Sequence, residues 1–251
     1  MARRKFHHAL VVGASSGIGE ALARRLAADG ARVALVARRG ETLERIATEI
    51  NELCGEERAF AVEHDVRAME KVSELFESIP RLLGGLDLVV YAAGVMHAVA
   101  FDEYDTAKDV HTVEINLLGA MAWLNPAAER FQRLGQGTIV GIGSIAGDRG
   151  RSGNPAYNTA KAALHTYLEA LRNRIARRGV RVVTIKPGFV DTPMTRGLPG
   201  LFWLISADRA AQIILRKASG GAQVAYVPAR WRLVSLVIQS IPSVLFRRLK
   251  I

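Results

Sequence analysis

The sequence predicts one α/β domain, a doubly wound parallel sheet of about seven strands with helices on both faces. Three observations predict it. Seven short β-rich runs alternate with six longer amphipathic stretches. Several runs, such as Leu10-Val11-Val12 and Leu88-Val89-Val90, are continuously apolar, as strands covered on both sides require. A glycine-rich turn follows the first run directly.

In chain order, strands are expected at 8–12, 32–37, 58–62, 87–91, 138–142, 180–185 and 223–227. Helices are expected at 18–29, 41–53, 68–83, 106–133, 156–178 and 207–217. No repeat, low-complexity segment or Pro/Ser-rich linker divides the chain, so residues 1–251 are expected to form a single domain.

With 49% hydrophobic and 23% charged residues, 251 residues can bury a full core. The single cysteine, Cys54, excludes an internal disulfide, and His7, His8, His64, His97, His111 and His165 share no ligand-like spacing. No metal site is assigned, and a reducing cytoplasm is expected. The basic stretch 1–8 leads into a short apolar run and a glycine turn, unlike a signal peptide. The longest uncharged candidate for a membrane span, 233–246, contains Ser235, Gln239, Ser240, Pro242 and Ser243 and falls short of the ~20 apolar residues required. A formal net charge of +10 favours anionic partners. The positive residues are dispersed, however, with no aromatic-basic stripe, so no nucleic-acid partner is expected.

The turn after the first strand reads Gly13-Ala14-Ser15-Ser16-Gly17-Ile18-Gly19 and opens a helix. Its glycines let the backbone approach a pyrophosphate, and the free N–H groups and positive end of the following helix attract the charge. Ser15 and Ser16 add hydroxyl donors. The second strand ends in Arg38-Arg39, where a fold preferring NAD usually offers an acid to the ribose hydroxyls. Two guanidinium groups can instead pair with a 2′-phosphate and stack on adenine, which favours NADP(H).

Ser144 ends the fifth strand, and Tyr157 and Lys161 lie four apart near the start of the long helix that follows. That spacing puts both side chains on one helix face, where the ammonium can favour ionisation of the phenol and make it a usable acid or base.

In these residues the chain resembles the short-chain dehydrogenase/reductase family along nearly its whole length. The match comprises Gly13, Gly17 and Gly19, the Asp65-Val66 pair, Ala93-Gly94, Asn116, Ser144, Tyr157 with Lys161, and Pro187-Gly188 followed by Val190 and Thr192. The resemblance implies a Rossmann-like fold and a nicotinamide lying beside Ser144 and Tyr157, with Lys161 on its ribose hydroxyls. Ser144 then polarises a ketone or aldehyde carbonyl and Tyr157 protonates the alkoxide, with Lys161 lowering the phenol pKa. Asn116 helps anchor a proton-relaying water chain, Asp65 and Val66 border the adenine, and Gly94 flanks the adenosine. The segment Pro187 to Thr192 orients the carboxamide. One departure stands out: Tyr91-Ala92 precedes Ala93-Gly94 where many relatives carry two asparagines.

Residues 189–205 occupy the place of a substrate lid, and Leu198, Leu201, Phe202 and Trp203 point to an apolar or lipid-like substrate. The apolar and basic extension 229–251 suits either an anionic bilayer, through 230–251, or a neighbouring subunit. By resemblance the helices starting near 106 and 156 pair subunits into a homodimer or homotetramer. Two other readings stay open: an NAD-dependent alcohol dehydrogenase using the same site, and a non-catalytic cofactor-binding or membrane-surface protein.

Overall fold

The computed structural model describes residues 4–249. The first three residues of the basic N-terminus, and Lys250 and Ile251 of the extension, lie outside them. Seven strands form one parallel sheet: β1 (His8–Val12), β2 (Arg32–Ala37), β3 (Ala59–Glu63), β4 (Leu88–Tyr91), β5 (Gly137–Ile142), β6 (Val180–Pro187) and, at the far edge, β9 (Val224–Val227). Their order is β3-β2-β1-β4-β5-β6-β9. All neighbours are parallel, with Val11 opposite Leu35 on one side and Val90 on the other.

Helices cover both faces, as continuously apolar strands demand. Ala9 and Val11 point into a core shared with α1 (Gly17–Ala28), α2 (Gly40–Cys54) and α7 (Ala207–Ser219). Leu10 and Val12 point the other way, into a core with α3 (Val72–Leu83), α5 (Gly119–Leu134) and α6 (Pro155–Ile175). The alternation of β1 thus supplies both cores.

The helix expected at 106–133 is interrupted. Between α4 (Thr106–Val113) and α5 lies a π turn, Glu114–Leu118, and the Ile115 carbonyl oxygen accepts a 2.5 Å hydrogen bond from the Tyr91 hydroxyl. A π turn widens the backbone ladder, and here a buried phenol satisfies a carbonyl within it. A two-residue parallel ladder, β7 (Val190–Asp191) with β8 (Ile205–Ser206), closes the base of the lid. The extension forms α8 (Trp231–Ser240) and a short α9 (Ser243–Phe246).

Candidate active site

The sheet order reverses between β1 and β4, and loops at the carboxyl ends of the strands leave a crevice there, as open α/β sheets do. Its floor is the turn after β1. The Gly13 N–H bonds the Val36 carbonyl oxygen at 2.7 Å, and its φ of 92° lies in the region that favours glycine. A Cβ on Gly13 would lie 2.3 Å from the Ala93 nitrogen, and one on Gly19 would lie 2.1 Å from the Gly13 carbonyl oxygen. The turn therefore presses against β4 and α1 and leaves its outer side open. Ile18 opens α1 from this turn, and a Cβ on Gly17 would come within 3.0 Å of Thr192.

Ser16 caps α1 in extended conformation, but its hydroxyl accepts from Arg39 and not from the helix. Arg39 folds back over the turn, donating to the Ser15 carbonyl oxygen (3.1 Å) and to the hydroxyls of Ser15 (2.8 Å) and Ser16 (3.0 Å). Arg38 is exposed on the crevice wall near Asp65. The two arginines thus differ: Arg39 tightens the anion-facing turn, and Arg38 stands free of such bonds. Asp65 pairs with Arg67 at 2.7 Å, which holds its carboxyl down at about 2, and Val66 is buried beside Gly119.

Ser144, Tyr157 and Lys161 meet at the inner end of the crevice. Ser144 follows β5 and caps a 3-10 turn, Ile145–Asp148, its Oγ accepting from the Ala146 N–H at 3.0 Å. The Asn154 side chain, from a left-handed residue at the start of α6, accepts the Tyr157 N–H. Lys161 donates to the Ile142 carbonyl oxygen at 3.0 Å, with its Nζ 5.6 Å from the Tyr157 ring centroid.

The electrostatics depart from the simplest reading of that spacing. Burial pushes the Tyr157 phenol up, and the opposing influence is its hydrogen bond with Ser144, not Lys161. Burial also pulls the Lys161 ammonium down to about 8. The phenol is thereby held protonated at neutral pH.

Asn116 sits in the π turn, buried, donating to the carbonyl oxygens of Val95 (2.8 Å) and Thr112 (2.9 Å). Its Oδ1 is buried without a hydrogen-bond partner. A Cβ on Gly94 would lie 2.7 Å from that oxygen and 3.4 Å from Lys161 Nζ, so glycine there keeps a polar gap open. Ala93, Pro187, Gly188, Val190 and Thr192 line the crevice, and Thr195 fixes the last of these by accepting the Thr192 N–H at 3.2 Å. The open glycine turn, the exposed crevice wall and this gap beside Lys161 fit a nicotinamide dinucleotide.

One part of the site escaped sequence reasoning. Asp148 ends the 3-10 turn after Ser144, nearly buried, and accepts from Lys186 (2.5 Å), Tyr226 (3.0 Å) and Ser235 (2.5 Å). His165, one turn beyond Lys161 on α6, has Nδ1 3.8 Å from Asp148, and its Nε2 accepts the Ser144 N–H at 3.4 Å. Burial and the Lys186 cation hold His165 well below its ordinary pKa, so the neutral ring carries its hydrogen on Nδ1 and offers the Nε2 lone pair. The i, i+4 spacing from Lys161 was the available signal.

The lid is joined to the C-terminal extension. Trp231 of α8 packs against Phe189 (5.2 Å), Phe202 (4.9 Å) and Trp203 (5.7 Å), and a Cβ on Gly188 would strike its ring. Among the described residues no group of three or more His, Cys, Asp or Glu side chains could hold a metal, and no helix is long and apolar enough to cross a membrane.

The short chain dehydrogenase family matches residues 7–199. An uncharacterized oxidoreductase of Staphylococcus epidermidis is 33% identical over 197 residues, covering 78% of this chain and 84% of its own. One from Staphylococcus aureus strain MW2 is 33% identical over 187 residues, 74% of this chain and 79% of its own. The fold is that of a Burkholderia cenocepacia short chain dehydrogenase crystallised with NADP (TM-score 0.83, 24% identity, 97% of each chain). A variant actinorhodin polyketide ketoreductase crystallised with NADPH is also similar (TM-score 0.78, 27% identity, 90% of this chain and 97% of that one). Because the family match runs from the first strand through Thr192, and so takes in every residue of the crevice named above, the chain belongs to the short chain dehydrogenase family of oxidoreductases.

Proposed function

We propose that this oxidoreductase uses NADP(H) to reduce a ketone or aldehyde, and in reverse oxidises the secondary or primary alcohol, with an apolar or lipid-like substrate. One observation carries the reading: Ser144 and the buried Tyr157 and Lys161 share a crevice with a glycine turn whose flanking strand ends in Arg38-Arg39. The ketoreductase of similar fold and its NADPH support the same cofactor.

NADPH, when bound, supplies the hydride. Gly13, Ser15, Ser16, Gly17, Ile18 and Gly19 would hold its pyrophosphate, with Arg39 bracing that turn through Ser15 and Ser16, Arg38 would meet its 2′-phosphate, and Asp65, Val66, Ala93 and Gly94 would border the adenosine. Pro187, Gly188, Val190 and Thr192 would seat the nicotinamide, with Lys161 on the ribose hydroxyls. Ser144 Oγ donates to the substrate carbonyl oxygen and polarises it. Tyr157 Oη releases its proton to that oxygen as the new C–H bond forms, and the tyrosinate regains one from solvent by way of Lys161 and the Asn116 gap. The raised phenol pKa suits an acid that must be loaded at neutral pH. Assembly as a homodimer or homotetramer in a reducing cytoplasm belongs to the same reading.

The test is NADPH oxidation across ketones and aldehydes of increasing chain length, with Tyr157→Phe as control. We expect turnover that rises with apolar length and falls about 10²-fold or more in the variant. An unchanged rate in Tyr157→Phe, or no acceleration by any carbonyl, overturns the reading.

A further inference from the structure

Helix α8 turns an apolar stripe outward. Its buried positions are Trp231 and Ser235, whereas Leu233 (68% exposed), Leu236 (52%) and Val237 (63%) face solvent at i, i+3, i+4 spacing. An amphipathic helix on an ordinary surface buries that stripe, so this one lacks a partner. Nor can it roll to hide the stripe. Ser235 is tied inward to Asp148, with Tyr226 at 3.1 Å and Gln239 at 2.7 Å, and Arg149 donates to the carbonyl oxygens of Ile238 and Ile241, each at 2.5 Å.

Val244, Leu245 and Leu249 continue the exposed apolar face beyond α8, while Phe246 is held inward with the Arg149 guanidinium 3.9 Å from its ring centroid. Arg230, Arg232, Arg247 and Arg248 are exposed in the same segment, and no Asp or Glu follows Asp208 in the sequence. The neighbouring lid adds Phe202, Trp203 and Leu204, also exposed, with Arg230 4.8 Å from the Trp203 ring centroid.

We propose that the outer face of α8 and α9, together with the exposed part of the lid, docks on an anionic phospholipid bilayer. Aliphatic side chains enter the acyl boundary while arginines meet lipid phosphates, a pairing that needs no carboxylate. A second copy fits less well: a two-fold contact sets this basic face against itself, and the segment holds no Asp or Glu to answer its arginines. Docking here sets the lid against the membrane, so a lipid-like carbonyl reaches the crevice without crossing water. That last step rests on the proposed reaction; the docking itself does not.

The experiment is flotation of the full chain with vesicles of phosphatidylcholine alone or mixed with phosphatidylglycerol, with light scattering for oligomer mass and urea unfolding to verify the fold of each variant. We expect recovery with the mixed vesicles only. Arg247→Gln with Arg248→Gln should lower partitioning about 25-fold, from roughly fivefold per arginine. Leu236→Gln with Val237→Gln should lower it on the order of tenfold or more, and both folded variants should keep reductase activity on a water-soluble carbonyl. The proposal is overturned if the intact chain stays in the soluble fraction, if both variants float as it does, or if the Leu236/Val237 variant changes oligomer mass without changing flotation. Loss of flotation with intact activity, or the reverse, separates this proposal from that of the reaction.

Discussion

The Asp148 carboxylate accepts a 2.5 Å hydrogen bond from Ser235 Oγ, which joins the loop carrying Ser144 to the C-terminal helix. The same carboxylate neutralises Lys186 just ahead of the Pro187-Gly188 segment and faces His165, whose Nε2 holds the Ser144 N–H. A single buried anion therefore fixes the serine loop, the nicotinamide-side segment and the extension relative to one another.

Removing that anion leaves the nearly buried Lys186 cation unpaired. Asp148→Ala is expected to cost about 3 kcal/mol or more of stability, measured by urea unfolding. Lys186→Met placed in the Asp148→Ala background should restore much of the loss, because an apolar pair no longer strands a charge. Failure of the second substitution to recover stability would show that the carboxylate acts through Tyr226 and Ser235 instead.

Tyr91 gives a second test. Its phenol spans from β4 to the π turn that presents Asn116, and burial raises its pKa, so it remains a donor to the Ile115 carbonyl. Tyr91→Phe should destabilise the fold by about 1–2 kcal/mol, by leaving that carbonyl unpaired. Faster hydrogen exchange at Ile115 to Gly119 should accompany it; unchanged exchange there would show that the π turn holds without the phenol.

Strands and crevice were legible in the sequence because burial on both faces writes continuous apolar runs, and because a glycine turn and a Tyr/Lys pair have fixed local spacings. Strand boundaries shifted by at most two residues, as at Val180–Pro187 against the expected 180–185. The parts that were not legible depend on distant partners. The π turn needs Tyr91 from another element, and Asp148 meets Lys186, Tyr226 and Ser235, which lie 38, 78 and 87 residues away. The sequence likewise marked the extension as apolar without showing that Ser235, and not the leucines, faces inward.

The exposed Arg38 should set cofactor choice. Arg38→Asp places a carboxylate where a 2′-phosphate would lie, so NADPH binding should weaken by about 100-fold, against a small change for NADH. Fluorescence titration of each nucleotide measures this, and equal effects on both would remove the assignment. Arg39→Ala should weaken both nucleotides, since Arg39 braces the turn through Ser15 and Ser16.

Lys161 makes a prediction about pH. Burial lowers its folded value to about 8, against 10.5 for the ordinary side chain. Between those values the unfolded chain binds more protons than the folded one, so stability rises with pH across that window. Below about pH 8 both states are protonated and the cost of burying the ammonium is fully present. Lys161→Met has no such proton to lose. The ligand-free stability of the native chain, minus that of the variant, should therefore be flat from neutrality to about pH 8 and climb toward pH 10. Urea unfolding at matched pH measures the difference. A flat line throughout would mean that the ammonium keeps its ordinary affinity for the proton despite its burial, and that water reaches it beneath Gly94.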